Sequence, residues 1–183
     1  MENIFFTSDL HLNHNKTFCY EPRGFNNVEE MNETLIQNWN EMVRPSDLIY
    51  VLGDFMMGRT DESIEYIKRL NGNIMLIIGN HDTDARIKAY KELPNIQVLG
   101  YAQMVKFGKY SFFISHYPTL VSFYDAESQK ASKRWNLCGH SHTQDRFADM
   151  DKGCIYHVEV DAHSNKPVSL EEIKQDIQKF EFS

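Results

Sequence analysis

Apolar residues follow two rhythms along this 183-residue chain. Residues 3–8 (NIFFTS), 47–52 (DLIYVL) and 73–78 (NIMLII) are short apolar runs, and each reads as a strand. The third lacks polar alternation, which suits a strand buried on both faces. Between these runs the spacing becomes helical. Met31, Leu35, Trp39 and Met42 recur on one face between Val28 and Pro45, with Asn27 as N-cap and Glu30 three residues later. Thr60-Asp61-Glu62 opens a second helix, with Ile64, Ile67 and Leu70 on one face and Asn71-Gly72 as its stop. A short helix is expected near residues 84–91.

The rhythm then turns mostly to strands. Residues 96–107 and 110–115 read as a hairpin turning at Gly108-Lys109, and 135–138 and 155–160 as further strands. Ser169-Leu170-Glu171-Glu172 is a capping box that starts a last helix, with Leu170, Ile173, Ile177 and Phe180 facing the core. A front half of alternating strand and helix and a strand-rich back half predict helices covering a pair of packed sheets. The length suits a single domain over residues 1–183.

Composition narrows the partners. A formal net charge of -7 argues against a broad grip on nucleic acid, unless bound metal ions change the local sign. Three cysteines at unrelated spacings (Cys19, Cys138, Cys154) do not form a disulfide framework and suit a reducing cytosol. The N-terminal MENIFFTSDLH reads as a first strand and not as a signal peptide. No stretch approaches the roughly 20 apolar residues of a membrane span, so a cytoplasmic protein is expected.

The chemistry stands just beyond the strands. Residues 3–8 lead into Asp9 and His11, 47–52 into Gly53-Asp54, and 73–78 into Gly79-Asn80-His81-Asp82. The strand ending at Ser115 is followed by His116, and the one ending at Cys138 by Gly139-His140-Ser141-His142. Ligands of α/β sheets gather at the carboxyl ends of strands, so these polar ends are expected on one rim. Asp9 and His11, like His140 and His142, are two residues apart and in extended backbone would point to the same side. Glycine before a ligand lets the chain turn and leaves room for an ion. Carboxylate, amide and imidazole donors without a thiolate suit Mn, Fe, Zn or Ni better than a Cys-rich structural zinc site. Seven such donors are too many for one ion with open positions and about right for two.

The order DLH, GD, GNHD, H, GHSH closely resembles the calcineurin-like metallophosphoesterase superfamily, from Asp9 to His142, with no ligand position missing. VEEMNETLIQNWN and VEVDAHSNKPVSLEEI further resemble its compact bacterial and phage branch. The resemblance implies a four-layer α/β sandwich of two packed mixed sheets flanked by helices. It also implies two divalent ions, manganese favoured: Asp9, His11 and His142 holding one, Asn80, His116 and His140 the other, and Asp54 bridging them. A water between ions about 3.5–4 Å apart would become hydroxide near neutral pH and attack phosphorus in line. His81 would serve as general acid, with Asp82 either orienting it or capping the next helix.

Arg23, Arg59 and His14 are further candidates for substrate contacts, since arginine can grip phosphate with two N–H groups. Tyr117 and Phe123-Tyr124 are candidates for a base-binding floor or for core. His157 and His163 have no place in this scheme. At GDFMMGR, Met57 stands where serine/threonine protein phosphatases carry a second aspartate, which counts against that activity. The expectation is hydrolysis of a small phosphate monoester or diester of nucleotide type. A nuclease is the alternative, disfavoured by charge, and a non-catalytic scaffold is less favoured still because every ligand position is retained.

Overall fold

Alternation inside each apolar run decides what its strand packs against. The computed structural model describes residues 3–121 and 134–181. Its elements are β1 (Ile4–Thr7), α1 (Thr17–Tyr20), α2 (Val28–Met42), β2 (Leu48–Leu52), α3 (Thr60–Ile67), β3 (Asn73–Ile77) and α4 (Asp84–Lys91). There follow β4 (Ile96–Gly100), β5 (Ala102–Phe107), β6 (Tyr110–Ser115), β7 (Trp135–Cys138), β8 (Ile155–His157), a 3-10 turn (Val160–His163), β9 (Val168–Ser169) and α5 (Leu170–Glu181). One sheet has the order β4-β3-β2-β1-β9, the other β5-β6-β7-β8. β1 to β4 run parallel with β9 antiparallel, and β6 to β8 run parallel with β5 antiparallel. The architecture is therefore α/β, with two mixed sheets flanked by helices.

Phe5, Ile49, Val51, Ile74 and Leu76 pack against Met31, Leu35 and Trp39 of α2. Their strand neighbours Phe6, Tyr50, Leu52 and Ile77 point the other way, into a core shared with Phe112, Ile114, Trp135, Leu137 and Tyr156 of the second sheet. Leu170, Ile173 and Ile177 of α5 join that second core. The Asn27 carboxamide accepts from Glu30 N–H at 2.8 Å, and the Ser169 hydroxyl accepts from Glu172 N–H at 3.1 Å, so both expected N-caps are in place.

Several expectations need correction. The run 96–107 is two strands in two different sheets: the chain changes sheet at Gly100, whose φ of 109° is open to glycine. The strand expected over 155–160 ends at His157, and the 3-10 turn takes over from Val160. Leu70 lies beyond α3 but is still buried in the helix-side core. Phe180 is 40% exposed, stacked on Phe147 and edge-on to Trp135 and not sealed inside. The sequence rhythm did not reveal α1 or β9, of four and two residues, because neither completes a repeat.

Candidate metal centre

Five loops leave the strands and are knitted together by their own backbone. Asp9 N–H donates to Gly53 O (3.1 Å), His11 N–H to Asp54 O (3.1 Å) and Gly139 N–H to His116 O (3.0 Å). Carboxylates extend the stitching: His81 N–H donates to Asp54 Oδ1 at 2.8 Å and His140 N–H to Asp9 Oδ2 at 2.8 Å. The loops are not extended. Asp9 (φ 55°), His11 (49°), Asp54 (54°), His140 (74°) and His142 (49°) all lie in the left-handed region. Such conformations cost on the order of 1–3 kcal/mol each and persist where the surroundings over-determine them. The extended-pair expectation is thus wrong: His140 turns toward Asn80 and His142 toward Asp161 and Asp9.

Two groups of donors result. In the first, His11 Nε2 and His142 Nε2 each lie 3.8 Å from Asp9 Oδ1. In the second, His116 Nε2 is 2.8 Å and His140 Nδ1 3.0 Å from Asn80 Oδ1. Asp54 Oδ2 stands between them, 3.6 Å from His11 Nε2 and 3.5 Å from His116 Nε2. Asp9, His11 and His142, and separately Asp9, Asp54 and His116, offer donor atoms all within 4.8 Å of one another. Glycine makes the approach possible. A side chain at Gly139 would overlap Asp9 Oδ2 and Ser8 Oγ, and one at Gly79 would overlap Asp54 Oδ1.

The donors fit a cation on their own chemistry. Asp9 Oδ1 and both ring nitrogens of His11 are buried without a hydrogen-bond partner, a costly state for polar atoms unless a ligand takes their lone pairs. His116 Nδ1 donates to Leu52 O at 2.8 Å, so its Nε2 presents a lone pair to the Asn80 carbonyl oxygen. Two acceptors face to face suit a shared cation. Burial works to raise the Asp9 carboxyl, but His11, His116 and His142 outweigh it and hold it below the usual range. Burial pushes His11 down, and burial together with His116 pushes His140 down. Ionised carboxylates and neutral imidazoles are the protonation states that bind metal; His142 is the exception, pulled down by burial but held above its usual range by Asp161 and Asp9.

Asp161 is a residue that the sequence reading missed. Its Oδ2 pairs with His142 Nδ1 at 3.0 Å, leaving Nε2 to face Asp9. It also takes Arg23 Nε and Nη2 at 3.0 and 2.9 Å, and these partners hold its carboxyl well below the usual range despite burial. Only its place in VEVDAH, just after a buried strand, could have signalled it. Arg23 correspondingly departs from expectation. Its side chain is 1% exposed and also donates to Leu10 O (3.0 Å) and Asp9 O (2.7 Å), so it braces the first loop and is not free to grip phosphate.

Asp82 likewise does neither of the things expected of it. Its Oδ2 accepts from the N–H groups of Asp54 and Gly79, both at 2.9 Å, and its Oδ1 accepts from the Tyr90 hydroxyl at 3.0 Å. It clamps two ligand loops together, while Thr83 stands at the N-cap of α4. Arg59 is 71% exposed and paired with Asp61 and Glu62 on the outside of α3. His81 sits over the centre, half exposed, with Nε2 3.9 Å from Asp54 Oδ2. His14 packs 5.3 Å from the His11 ring, and burial pushes its pKa down to about 4. Tyr117 stands edge-on to His140 with ring centres 4.5 Å apart, whereas Phe123-Tyr124 lie outside the described residues. The buried His157 pairs with the buried Glu159 and with the partly exposed Asp149, and Glu159 Oε1 accepts from Thr143 N–H at 3.2 Å, so steadying the GHSH loop.

Comparison with known proteins agrees with this geometry. Residues 2–164 match the family described as calcineurin-like phosphoesterase. Protein MJ1445 of Methanocaldococcus jannaschii is 33% identical over 184 residues, covering 98% of this chain and 93% of its own. The Gene 66 protein of Mycobacterium phage D29 is 27% identical over 199 residues, covering 96% of each. The crystal structure of AQ665 from Aquifex aeolicus, a protein of unknown function, superposes with a TM-score of 0.70 at 22% identity, covering 96% of this chain and 99% of that one. The chain belongs to the calcineurin-like phosphoesterase family and is a metal-dependent phosphohydrolase.

Proposed function

We propose that the protein, acting as one domain over residues 1–183, hydrolyses a small phosphate monoester or diester of nucleotide type with two divalent ions, manganese preferred. The observation that carries this reading is the position of Asp54 Oδ2, about equally far from His11 Nε2 (3.6 Å) and His116 Nε2 (3.5 Å). Asp9, His11 and His142 would hold one ion, and Asn80, His116 and His140 the other, with Asp54 shared. Divalent ions there supply Lewis acidity toward phosphate oxygens and lower the pKa of a water. The chain does the rest. His81 is fixed by its backbone, its N–H on Asp54 Oδ1 and its carbonyl on Arg86, and delivers a proton from Nε2 to the leaving oxygen. His14 lines the approach on the His11 side. A cytoplasmic setting accords with three free cysteines; among the described residues no helix is long and apolar enough to cross a membrane.

The test is hydrolysis of p-nitrophenyl phosphate and its bis-ester by protein loaded with Mn, Ni, Zn or Fe. Turnover of at least one ester is expected, and failure with all four metals overturns the reading. His81→Ala should keep its metal and lose on the order of 10²–10⁴ in turnover, whereas Asp54→Ala should lose metal too. Equal metal loss in both variants would contradict the role of His81.

A further inference from the structure

The site opens to solvent beside His81 and His142, whose side chains are 45% and 42% exposed. On the side of Asp9, His11 and His142 it continues into a cleft of about 380 Å³, whose walls include His14, Phe18, Cys19 and Pro22, with Gln144 at its rim. That volume is near the lower end of small-molecule pockets, roughly 300–1,000 Å³. Phe18, on the four-residue α1, is 71% exposed. It is nonetheless tied to the centre by a chain of rings: Phe18 edge-on to His14 at 5.4 Å, and His14 to His11 at 5.3 Å. An aromatic face held beside a ligand cluster and left open to solvent is a stacking platform without its partner.

Charge along the cleft limits what that partner can be. No lysine is among the described residues that line it, and the guanidinium of Arg23 behind it is spent on Asp161, Leu10 O and Asp9 O. A second phosphate would find no free cation among the described residues lining the cleft. Gln144 offers both an amide donor and an amide acceptor, the pair that matches the edge of a neutral heterocycle.

Resting on the phosphoesterase reading above, we infer that this cleft selects a nucleoside monophosphate-type ester, its base stacked on Phe18, over sugar phosphates and polyphosphates. The experiment compares AMP, ADP and ribose 5-phosphate by calorimetric titration into manganese-loaded His81→Ala, which slows turnover enough to read binding. AMP should bind at least tenfold more tightly than ribose 5-phosphate, and ADP no more tightly than AMP. Adding Phe18→Ala should bring the AMP preference over ribose 5-phosphate to within about twofold, and Phe18→Trp should restore it, because any planar face stacks. Truncating so exposed a side chain leaves the fold intact. Equal binding of AMP and ribose 5-phosphate, tighter binding of ADP, or a preference indifferent to Phe18 overturns this inference and leaves the phosphoesterase reading standing. Binding of none of the three also overturns this inference, while hydrolysis of the p-nitrophenyl esters decides the phosphoesterase reading separately.

Discussion

His142 and His116 are each gripped through Nδ1 so that Nε2 faces a carboxylate, but the gripping groups differ. His142 is held by the carboxylate of Asp161, itself locked by the buried Arg23, while His116 is held by the Leu52 carbonyl at the end of β2. One half of the site is therefore braced by charged side chains from distant parts of the chain, and the other by backbone. A side-chain brace can be cut by one substitution and responds to pH. A backbone brace has no side chain of its own to remove, so it is disturbed by crowding it or by loosening the loops around it, and glycine guards the space it needs.

The largest effect is expected at the charged brace. Asp161→Ala leaves the Arg23 guanidinium buried without its partner and should cost about 3–5 kcal/mol in urea unfolding. The milder Asp161→Asn should weaken metal at the His142 half by about 10–100-fold while sparing the His116 half. At the backbone brace, Gly53→Ala would put a methyl 2.6 Å from His116 Nδ1 and 2.7 Å from Gly79 Cα at a φ of 93°. A loss of about 3 kcal/mol, with metal released, is expected by the same assay and metal analysis.

Acid should act on the charged half. His163 shares the 3-10 turn with Asp161, and burial pushes it from 6.5 down to about 4. The folded state then refuses a proton that the unfolded chain accepts, so its contribution is complete above pH 6.5, fades toward pH 4 and stays lost below. The shift corresponds to roughly 3 kcal/mol at most. Urea midpoints measured across that range should fall less steeply for His163→Gln than for the wild type, and parallel slopes would contradict the assignment. Asp82→Asn, which weakens one clamp on the backbone half, should cost about 1–2 kcal/mol, with reduced turnover. Arg59→Ala should change neither stability nor activity measurably, because its ion pairs lie in open solvent.

The same division explains what could be read in advance. The candidate ligand residues were legible as a set because each follows an apolar strand and several follow a glycine, a local pattern fixed by the need to turn and make room. Apart from the four-residue α1, the front-half helices and the strands β1 to β3 were legible for the same reason, as periodicity is local. Asp161, Arg23 and the clamp of Asp82 were not, because their roles depend on partners 138, 14 and 28 residues away. The left-handed backbone at Asp9, His11, His140 and His142 was also hidden, since the closing of the loops imposes it on residues that do not prefer it. The change of sheet at Gly100 hid inside one continuous apolar run.

The central claim is that these two differently braced halves each hold one ion, with Asp54 between them. Titration of manganese into the metal-free protein, followed calorimetrically, tests it most directly. The account predicts two ions per chain in the wild type, with Asp161→Asn weakening one step and leaving the other in place. A single ion per chain, or equal weakening of both steps, would contradict it.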